Sequence, residues 1–185
     1  GRLRQVMVSG RELELANLPA QSQTFVNRRF KYTHGYGLTM AKVNEFTPEG
    51  LPDLLIRDIP PVTESPELEV TRPEIYYGEL TREYCVVDTR EKEFDYPRGE
   101  QNAYVRYAGD GGVPMSGFWR KFIYGYKFGG TRLLLSGYPR EGSQVMFRRQ
   151  VRERLQAVAP FLTFEDDPYI VLHDGALYWI VDGYT

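Results

Sequence analysis

The sequence has little of several residue types that mark specialised chemistry. It contains one cysteine, Cys85, and only two histidines among 185 residues. A single thiol excludes an intrachain disulfide, a multi-cysteine zinc site and a CxxC redox pair. No apolar run approaches the roughly 20 residues needed to cross a bilayer. The run AVAPFL at 157–162 is interrupted by Pro160. We therefore predict that these residues do not span a membrane.

Charge and motif content exclude further classes of function. The 23 basic and 25 acidic residues leave a net charge of −2, which gives no overall attraction to nucleic acid. The sequence lacks a GxSxG elbow, a P-loop, an HExxH helix and a GxGxxG loop after a strand, and we expect no cofactor. Cys85 lies in the β-branched and aromatic run EYCVVDT, which indicates a buried strand thiol.

Apolar patterning predicts an α+β fold, largely an antiparallel meander and hairpins, with two to three amphipathic helices packed on the sheet. Residues 1–185 are long enough for a single soluble domain, or for part of one. Strands are predicted at 5–9 and in DLLIRDIPP (53–61), and the glycines of THGYG predict an irregular loop over 33–52. The runs PEIYYGEL (73–80), EYCVVDT (83–89) and NAYVRYAG (102–109) predict the meander.

Helical spacing predicts three helices. Ser22 is expected to cap the first, which runs to about Tyr32, and Ser116 the second, which Gly129-Gly130 would end. The inward face of the second is predicted from its apolar residues, Phe118, Trp119, Phe122, Ile123 and Tyr126. Contact of this helix with a membrane interface is the alternative. Ser143 is expected to open the third helix, with Phe147, Val151, Leu155 and Val158 inward.

The last 19 residues, DPYIVLHDGALYWIVDGYT, predict a hairpin. Asp174-Gly175 suits a two-residue type I′ turn, in which both central residues have positive φ. Residues 178–181 are apolar and are expected to be buried, yet they lie only four positions before Thr185. We therefore expect the native chain to continue.

Candidate site residues are few. His34 lies in a glycine-rich stretch between Tyr32 and Tyr36, where a ligand can approach the backbone; a structural role within the turn is the competing interpretation. Exposed aromatic rings suit carbohydrate or peptide binding, so the ligand-binding candidates are Tyr32, Tyr36 and Trp119. An enzyme acting by acid–base chemistry would draw on His34, Asp95, Asp166 and Asp182.

Carboxylates cluster at Glu165, Asp166 and Asp167, and oxygen-rich clusters can hold calcium. No EF-hand spacing accompanies them. We instead expect Asp166 or Asp167 to form a turn before Pro168 and to pair with arginines of the preceding helix. The prediction is therefore of no metal site, with calcium as the alternative.

Separated blocks of the sequence resemble one family. They are YTHGYG (32–37), VNEFTPEGLPDLLIRDIPP (43–61), EFDYPRG (93–99), GGVP (111–114), APFLTFEDDPYIV (159–171) and LYWIVDGYT (177–185). In this order they resemble the uncharacterised protein family numbered zero-one-eight-two, bacterial proteins with several N-terminal membrane spans followed by a large water-exposed region.

The resemblance implies an extracytoplasmic piece of a cell-membrane protein, whose partners are the rest of its own chain and an envelope component. It assigns no catalytic residue. The expected function is a non-catalytic module that binds an envelope component or supports an assembly. The alternative is a hydrolytic enzyme acting on an envelope polymer through His34 and carboxylates.

Overall fold

A computed structural model describes residues 3–128 and 131–185. It confirms the α+β class, and every pairing between its strands is antiparallel. The strands are β1 (Val6–Gly10), β2 (Gly35–Tyr36), β3 (Leu38–Phe46), β4 (Pro52–Arg57), β5 (Val62–Thr63), β6 (Glu74–Ile75), β7 (Cys85–Val87), β8 (Glu93–Arg98), β9 (Gln101–Val105), β10 (Val113–Pro114), β11 (Gln144–Met146), β12 (Thr163–Phe164), β13 (Tyr169–His173), β14 (Ala176–Ile180) and β15 (Gly183–Tyr184). The α-helices are α1 (Phe118–Lys127), α2 (Thr131–Leu135) and α3 (Val151–Val158).

The chain forms two compact units, each assembled from separated segments. Unit 1 comprises Gly1–Leu13, His34–Thr81 and Gln150–Thr185, and unit 2 comprises Glu14–Thr33 and Arg82–Arg149. That residues 1–185 act as a single domain stays a prediction. Within the described residues, no helix combines the length and apolarity that crossing a membrane requires.

Unit 1 is built on a sheet with the order β1-β3-β4-β5. The prediction of an irregular loop over 33–52 was wrong, because β3 is the longest strand and pairs with both β1 and β4. Its Leu38 and Met40 alternate inward and pack on Ile56 of β4. Gly35 misled the prediction: a Cβ there would collide with the backbone of Arg11, so glycine serves close packing of two chain segments.

The predicted C-terminal hairpin is confirmed. In it β13 pairs with β14, and His173 lies opposite Ala176 across the two-residue turn. Asp174 and Gly175 have φ angles of 48° and 75°, the positive values that a type I′ turn requires. The expected burial of residues 178–181 was wrong in part, because Tyr178 and Ile180 are exposed.

Unit 2 contains a sheet with the order β10-β11-β7 and a separate β8–β9 hairpin. The predicted meander was wrong, because its three runs join different partners: β6 pairs with β2, β7 with β11, and β9 with β8. The buried Glu93 of β8 accepts hydrogen bonds from Thr33 Oγ1 at 2.6 Å and from the backbone N–H groups of Asp88 and Tyr107.

The first and third predicted helices begin later than expected. Ser22 lies in a 3₁₀ turn (Ala20–Ser22), and Thr24 Oγ1 accepts the hydrogen bond of Asn27 N before a π-helical turn over Asn27–Lys31. Ser143 donates its hydroxyl to Asp88 O and precedes β11, whereas Gln150 caps α3 through Glu153 N at 2.7 Å. Other 3₁₀ turns are Leu15–Asn17 and Pro66–Leu68. Of the predicted inward residues, Phe147 precedes α3, Val151 is buried, Leu155 is half-buried and Val158 is exposed.

Helix α1 exists as predicted but turns the opposite face inward. The side chains expected in the core are exposed, and instead Tyr124, Gly125 and Phe128 face the interior of unit 2. There they adjoin a core of Phe30, Val86, Met115, Leu133 and Val145. The predicted glycine stop at 129–130 lies outside the described residues.

Candidate functional site

Charged and aromatic side chains gather at a cleft of about 640 Å³ in unit 1. It lies where the end of β1 approaches the start of β13 and the loop after β6. We call it the acidic cleft; the side chains that define it are Glu12, Glu79, Asp167, Tyr169 and Trp179. Arg11 also lines it, and its guanidinium donates to the carbonyls of Leu38 and Asp58. A smaller depression of about 360 Å³, over residues 61–70, is lined mainly by proline, valine and hydroxyl side chains of a connecting segment.

Glu12 is held rigidly at one side of the acidic cleft. Its carboxylate accepts hydrogen bonds from the backbone N–H groups of Glu79, Leu80 and Thr81 at 2.7, 3.0 and 3.2 Å, and from the Thr81 hydroxyl at 2.9 Å. A carboxylate with this many donors is fixed in position. The Glu12 carboxylate therefore holds the loop after β6 in place through its hydrogen bonds to residues 79–81.

Glu79 and Asp167 supply the accessible negative charge. Both side chains are exposed at the cleft. Partial burial, and then the neighbouring carboxylates of Glu12 and Asp167, raise the pKa of the Glu79 carboxyl. Crowding of like charges on a partly desolvated surface favours either a proton or a cationic ligand group. The cleft is accordingly suited to an amine or to a network of hydroxyl donors.

Two aromatic side chains of the C-terminal hairpin complete the acidic cleft. The Trp179 indole N–H donates to Tyr77 O at 2.8 Å, which fixes the ring, and Tyr169 is 48% exposed. Aromatic rings beside carboxylates offer an apolar surface and acceptors together, a combination that suits sugar rings and cationic amines.

The family model of the Uncharacterised protein family (UPF0182) matches residues 1–185. The chain belongs to this family. Similar UPF0182 proteins include one from Pelotomaculum thermopropionicum, 51% identical over 185 residues, and one from Trichodesmium erythraeum, 48% identical over 185 residues. Each alignment covers all of this chain and 20% of the relative. A Synechococcus UPF0182 protein is 49% identical over 191 residues, covering all of this chain and 23% of its own length.

The chain thus spans about a fifth of the length of the curated UPF0182 relatives it matches. No solved structure gives a significant match. The resemblance in the separated sequence blocks is therefore confirmed as family membership.

The catalytic candidates of this UPF0182 chain do not line the acidic cleft. His34 is 3% exposed, and its ring centroid lies 4.7 Å from that of Tyr76. Asp166 pairs with Arg152 of α3, as the turn interpretation predicts. The backbone carbonyl of Asp182 accepts from Glu165 N at 2.9 Å. These three belong to unit 1, whereas Asp95 lies on β8 in unit 2.

The acidic run at 165–167 is divided among separate partners. Glu165 accepts a hydrogen bond from the Tyr184 hydroxyl at 2.8 Å, Asp166 pairs with Arg152, and Asp167 reaches the acidic cleft. Among residues 3–128 and 131–185, no group of three or more His, Cys, Asp or Glu side chains is arranged to hold a metal ion. In the part of the chain that the structure describes, Glu165, Asp166 and Asp167 therefore do not form a calcium-binding cluster.

The aromatic ligand candidates are also absent from the lining of the acidic cleft. Tyr32 packs edge-on against Phe94 with ring centroids 5.3 Å apart. Tyr36 belongs to β2 and pairs with Glu74. Trp119 is exposed on α1 in unit 2.

Of the cleft residues, only Asp167 was among the sequence candidates. Glu12 and Glu79 are separated by 67 positions, so no short motif connects them. The interpretation of Cys85 as a buried strand thiol is confirmed: its Sγ lies 3.9 Å from Thr33 O, and burial raises its pKa to about 11.

Proposed function

We propose that this chain is a non-catalytic, extracytoplasmic module of a membrane protein, and that the acidic cleft binds an envelope component bearing amine or hydroxyl groups. The observation that carries the proposal is the convergence of Glu79, Asp167, Tyr169 and Trp179 on one cavity. The volume of about 640 Å³ falls within the range of roughly 300–1,000 Å³ that small-ligand sites occupy. A short oligosaccharide or an amine-bearing headgroup is of this size.

The engagement of Glu12 excludes this residue from acid–base chemistry in the cleft. Acid–base hydrolysis of a glycosidic bond requires two carboxyl groups free to exchange protons or attack the substrate. The Glu12 oxygens already accept three backbone N–H groups and one hydroxyl, so taking part in a reaction would break the loop they hold. Glu79 and Asp167 then remain as groups that recognise the ligand.

Membrane attachment and the extracytoplasmic side are supported by the resemblance to proteins with N-terminal spans. The chain corresponds to about a fifth of its relatives, which leaves ample length for other segments. Attachment is tested by expressing the full-length protein with a reporter fused after the region that matches this chain. Protease access to that region in intact cells supports the proposal, and protection until the membrane is opened contradicts it.

Ligand binding is tested by titrating the chain with amino-sugar oligosaccharides and measuring heat or NMR shifts. We expect Tyr169→Ala and the pair Glu79→Gln with Asp167→Asn each to weaken binding about tenfold or more, since each removes a stacking or charge-assisted contact. Tyr178→Ala is the matched control, because Tyr178 is an exposed tyrosine of the same hairpin outside the cleft. Equal affinity in all variants would refute the assignment of the site.

A second candidate is favoured by one observation. The raised pKa of Glu79 is what a general acid requires, so hydrolysis of an envelope polymer with Glu79 as proton donor is the alternative. It predicts slow release of reducing ends from the bound polymer, abolished by Glu79→Gln. Binding without product over long incubation would favour the non-catalytic module.

A further inference from the structure

Helix α1 presents a continuous apolar surface to solvent. Trp119 is 72% and Tyr126 86% exposed. The rings of Phe118, Trp119 and Phe122 contact one another, with centroids 5.8 to 6.5 Å apart. The apolar face consists of Phe118, Trp119, Phe122, Ile123 and Tyr126, all exposed on α1. Large exposed apolar patches of this kind mark interaction sites.

The charges of the segment that carries the apolar face have one sign. Residues 111–140 contain no Asp or Glu, and their basic residues are Arg120, Lys121, Lys127, Arg132 and Arg140. Arg140 is paired with Asp88, and the Lys127 ammonium lies 4.4 Å from the centre of the Phe147 ring. Arg120 and Lys121 of α1 and Arg132 of α2 form no ion pair within the described residues, and we call these three residues the cationic border.

Helical geometry places the two basic residues differently. At about 100° per residue, the five aromatic and aliphatic side chains of the apolar face on α1 cover an arc of roughly 140°, and the exposed Arg120 lies about 60° beyond the Ile123 edge. Tyr124, Gly125 and Phe128 lie in the sector that packs into unit 2, and the half-buried Lys121 lies in that same sector. The core therefore anchors α1 by one face and leaves the aromatic face and Arg120 available.

We propose that the apolar face docks on the surface of an anionic lipid bilayer, with α1 lying in the plane of the interface. Aromatic and aliphatic side chains bordered by Lys and Arg are typical of helices that insert roughly 5–10 Å into the headgroup boundary. The cationic border would contact lipid phosphates, each charge adding electrostatic attraction. This surface belongs to unit 2, whereas the acidic cleft belongs to unit 1, so the proposal is independent of the ligand proposed for the cleft.

Charge argues for lipid over a second copy of the chain. Two copies joined by this face would bring their cationic borders together, and like charges across an interface oppose association. An anionic bilayer neutralises the same border and accepts the rings in its apolar boundary. The structure therefore favours a bilayer, and self-association becomes an outcome that the experiment must distinguish.

Sedimentation with lipid vesicles tests the proposal. We expect the chain to bind vesicles of phosphatidylcholine with phosphatidylglycerol about tenfold or more tightly than vesicles of phosphatidylcholine alone, and to dissociate as salt is raised. Brominated lipid should quench the tryptophan emission of the Trp179→Phe variant, which retains Trp119. Quenching should be absent from Trp119→Phe.

Variants of the apolar face and control variants elsewhere on the surface show whether vesicle affinity depends on this face. The double variant Phe118→Ser with Trp119→Ser, and separately Arg120→Glu with Lys121→Glu, should lower vesicle affinity about tenfold or more. Phe161→Ser and Arg98→Glu change an exposed ring and an exposed charge elsewhere and should bind as the parent does. Unchanged melting temperatures would confirm that the variants are folded.

Three results would overturn the proposal. The first is no binding to anionic vesicles, and the second is binding that the double variants leave unchanged. The third is concentration-dependent dimerisation that Phe118→Ser with Trp119→Ser abolishes, without vesicle binding by the parent, which would assign the face to a second copy.

Discussion

The Glu12 carboxylate occupies the space that a side chain on Gly78 would need. Gly78 also accepts a hydrogen bond on its carbonyl from Val151 N at 2.9 Å, at the start of α3. One glycine therefore lies between a carboxylate from the segment after β1 and the first turn of a helix. This packing ties together three distant stretches of unit 1 and fixes one side of the acidic cleft.

Gly78→Ala is expected to lower the free energy of unfolding by about 2 kcal/mol, because the new methyl group displaces Glu12 from its hydrogen bonds. Glu12→Ala should cost a similar amount, and the double variant little more than either alone. Urea denaturation measures all three. Additive losses would show that the two residues act independently.

The two faces of α1 should respond differently to the same substitution. Trp119→Ser is expected to change the free energy of unfolding by less than about 0.5 kcal/mol, since the ring is exposed. Tyr124→Ser should lower it by about 2 kcal/mol or more, because this ring adjoins Phe128 and Phe147 with centroids 6.1 and 6.4 Å away. Thermal melts of the two variants would show whether the orientation of the helix is right.

Stability should fall at alkaline pH because of Cys85. Burial raises the pKa of its thiol from 9.0 to about 11, so between these values the unfolded chain ionises while the folded chain keeps its proton. The unfolded state then binds fewer protons, and the free energy of unfolding decreases with rising pH, by up to ~3 kcal/mol across the window. Below pH 9 this contribution is fully present.

The control for this prediction is Cys85→Ala, which should show a shallower decline in urea denaturation between pH 9 and 11. The native thiol should also resist a disulfide reagent until the chain unfolds. Rapid labelling of native protein at pH 8 would contradict the burial of Cys85.

Gly175, in the turn of the C-terminal hairpin, combines a positive φ angle with close contact to a neighbouring side chain, so the cost of each can be compared with that at another glycine. Gly175→Ala should lower the free energy of unfolding by about 2 kcal/mol, because φ is 75° and a Cβ would lie 2.5 Å from Thr71 Oγ1. Gly50→Ala has a similar φ of 80° with open space around it, and should cost only about 1 kcal/mol. Equal losses in thermal melts would assign the whole effect to backbone conformation.

The parts of the fold that the sequence predicted are those set by local chemistry. The Asp174-Gly175 turn brings its two strands together through residues that are neighbours in the chain. The predicted meander was wrong because strands such as β7 and β11 pair although they are far apart in the sequence. No short sequence pattern specifies such a pairing. Family membership was predictable because many separated blocks agree at once.

The orientation of α1 and the acidic cleft show two different limits. Periodicity shows that Phe118, Trp119 and Phe122 share a face, but an apolar face that binds a partner has the same pattern as one that fills a core. The cleft unites Glu12, Glu79 and Asp167 from three segments, and spacing along the chain carries no information about such convergence. The glycine next to His34 serves the close packing of β2 against the segment at Arg11, and its presence therefore does not indicate a ligand site.

The interleaving of the two units has a consequence for synthesis on the ribosome. Phe30 packs in the core of unit 2, and Thr33 donates a hydrogen bond to the buried Glu93 of the same unit. Unit 1 begins earlier in the chain, yet β13 and β14 are among its last residues to emerge. The second unit can therefore close while the first still awaits its C-terminal hairpin, which reverses the usual N-terminal-first order of cotranslational folding.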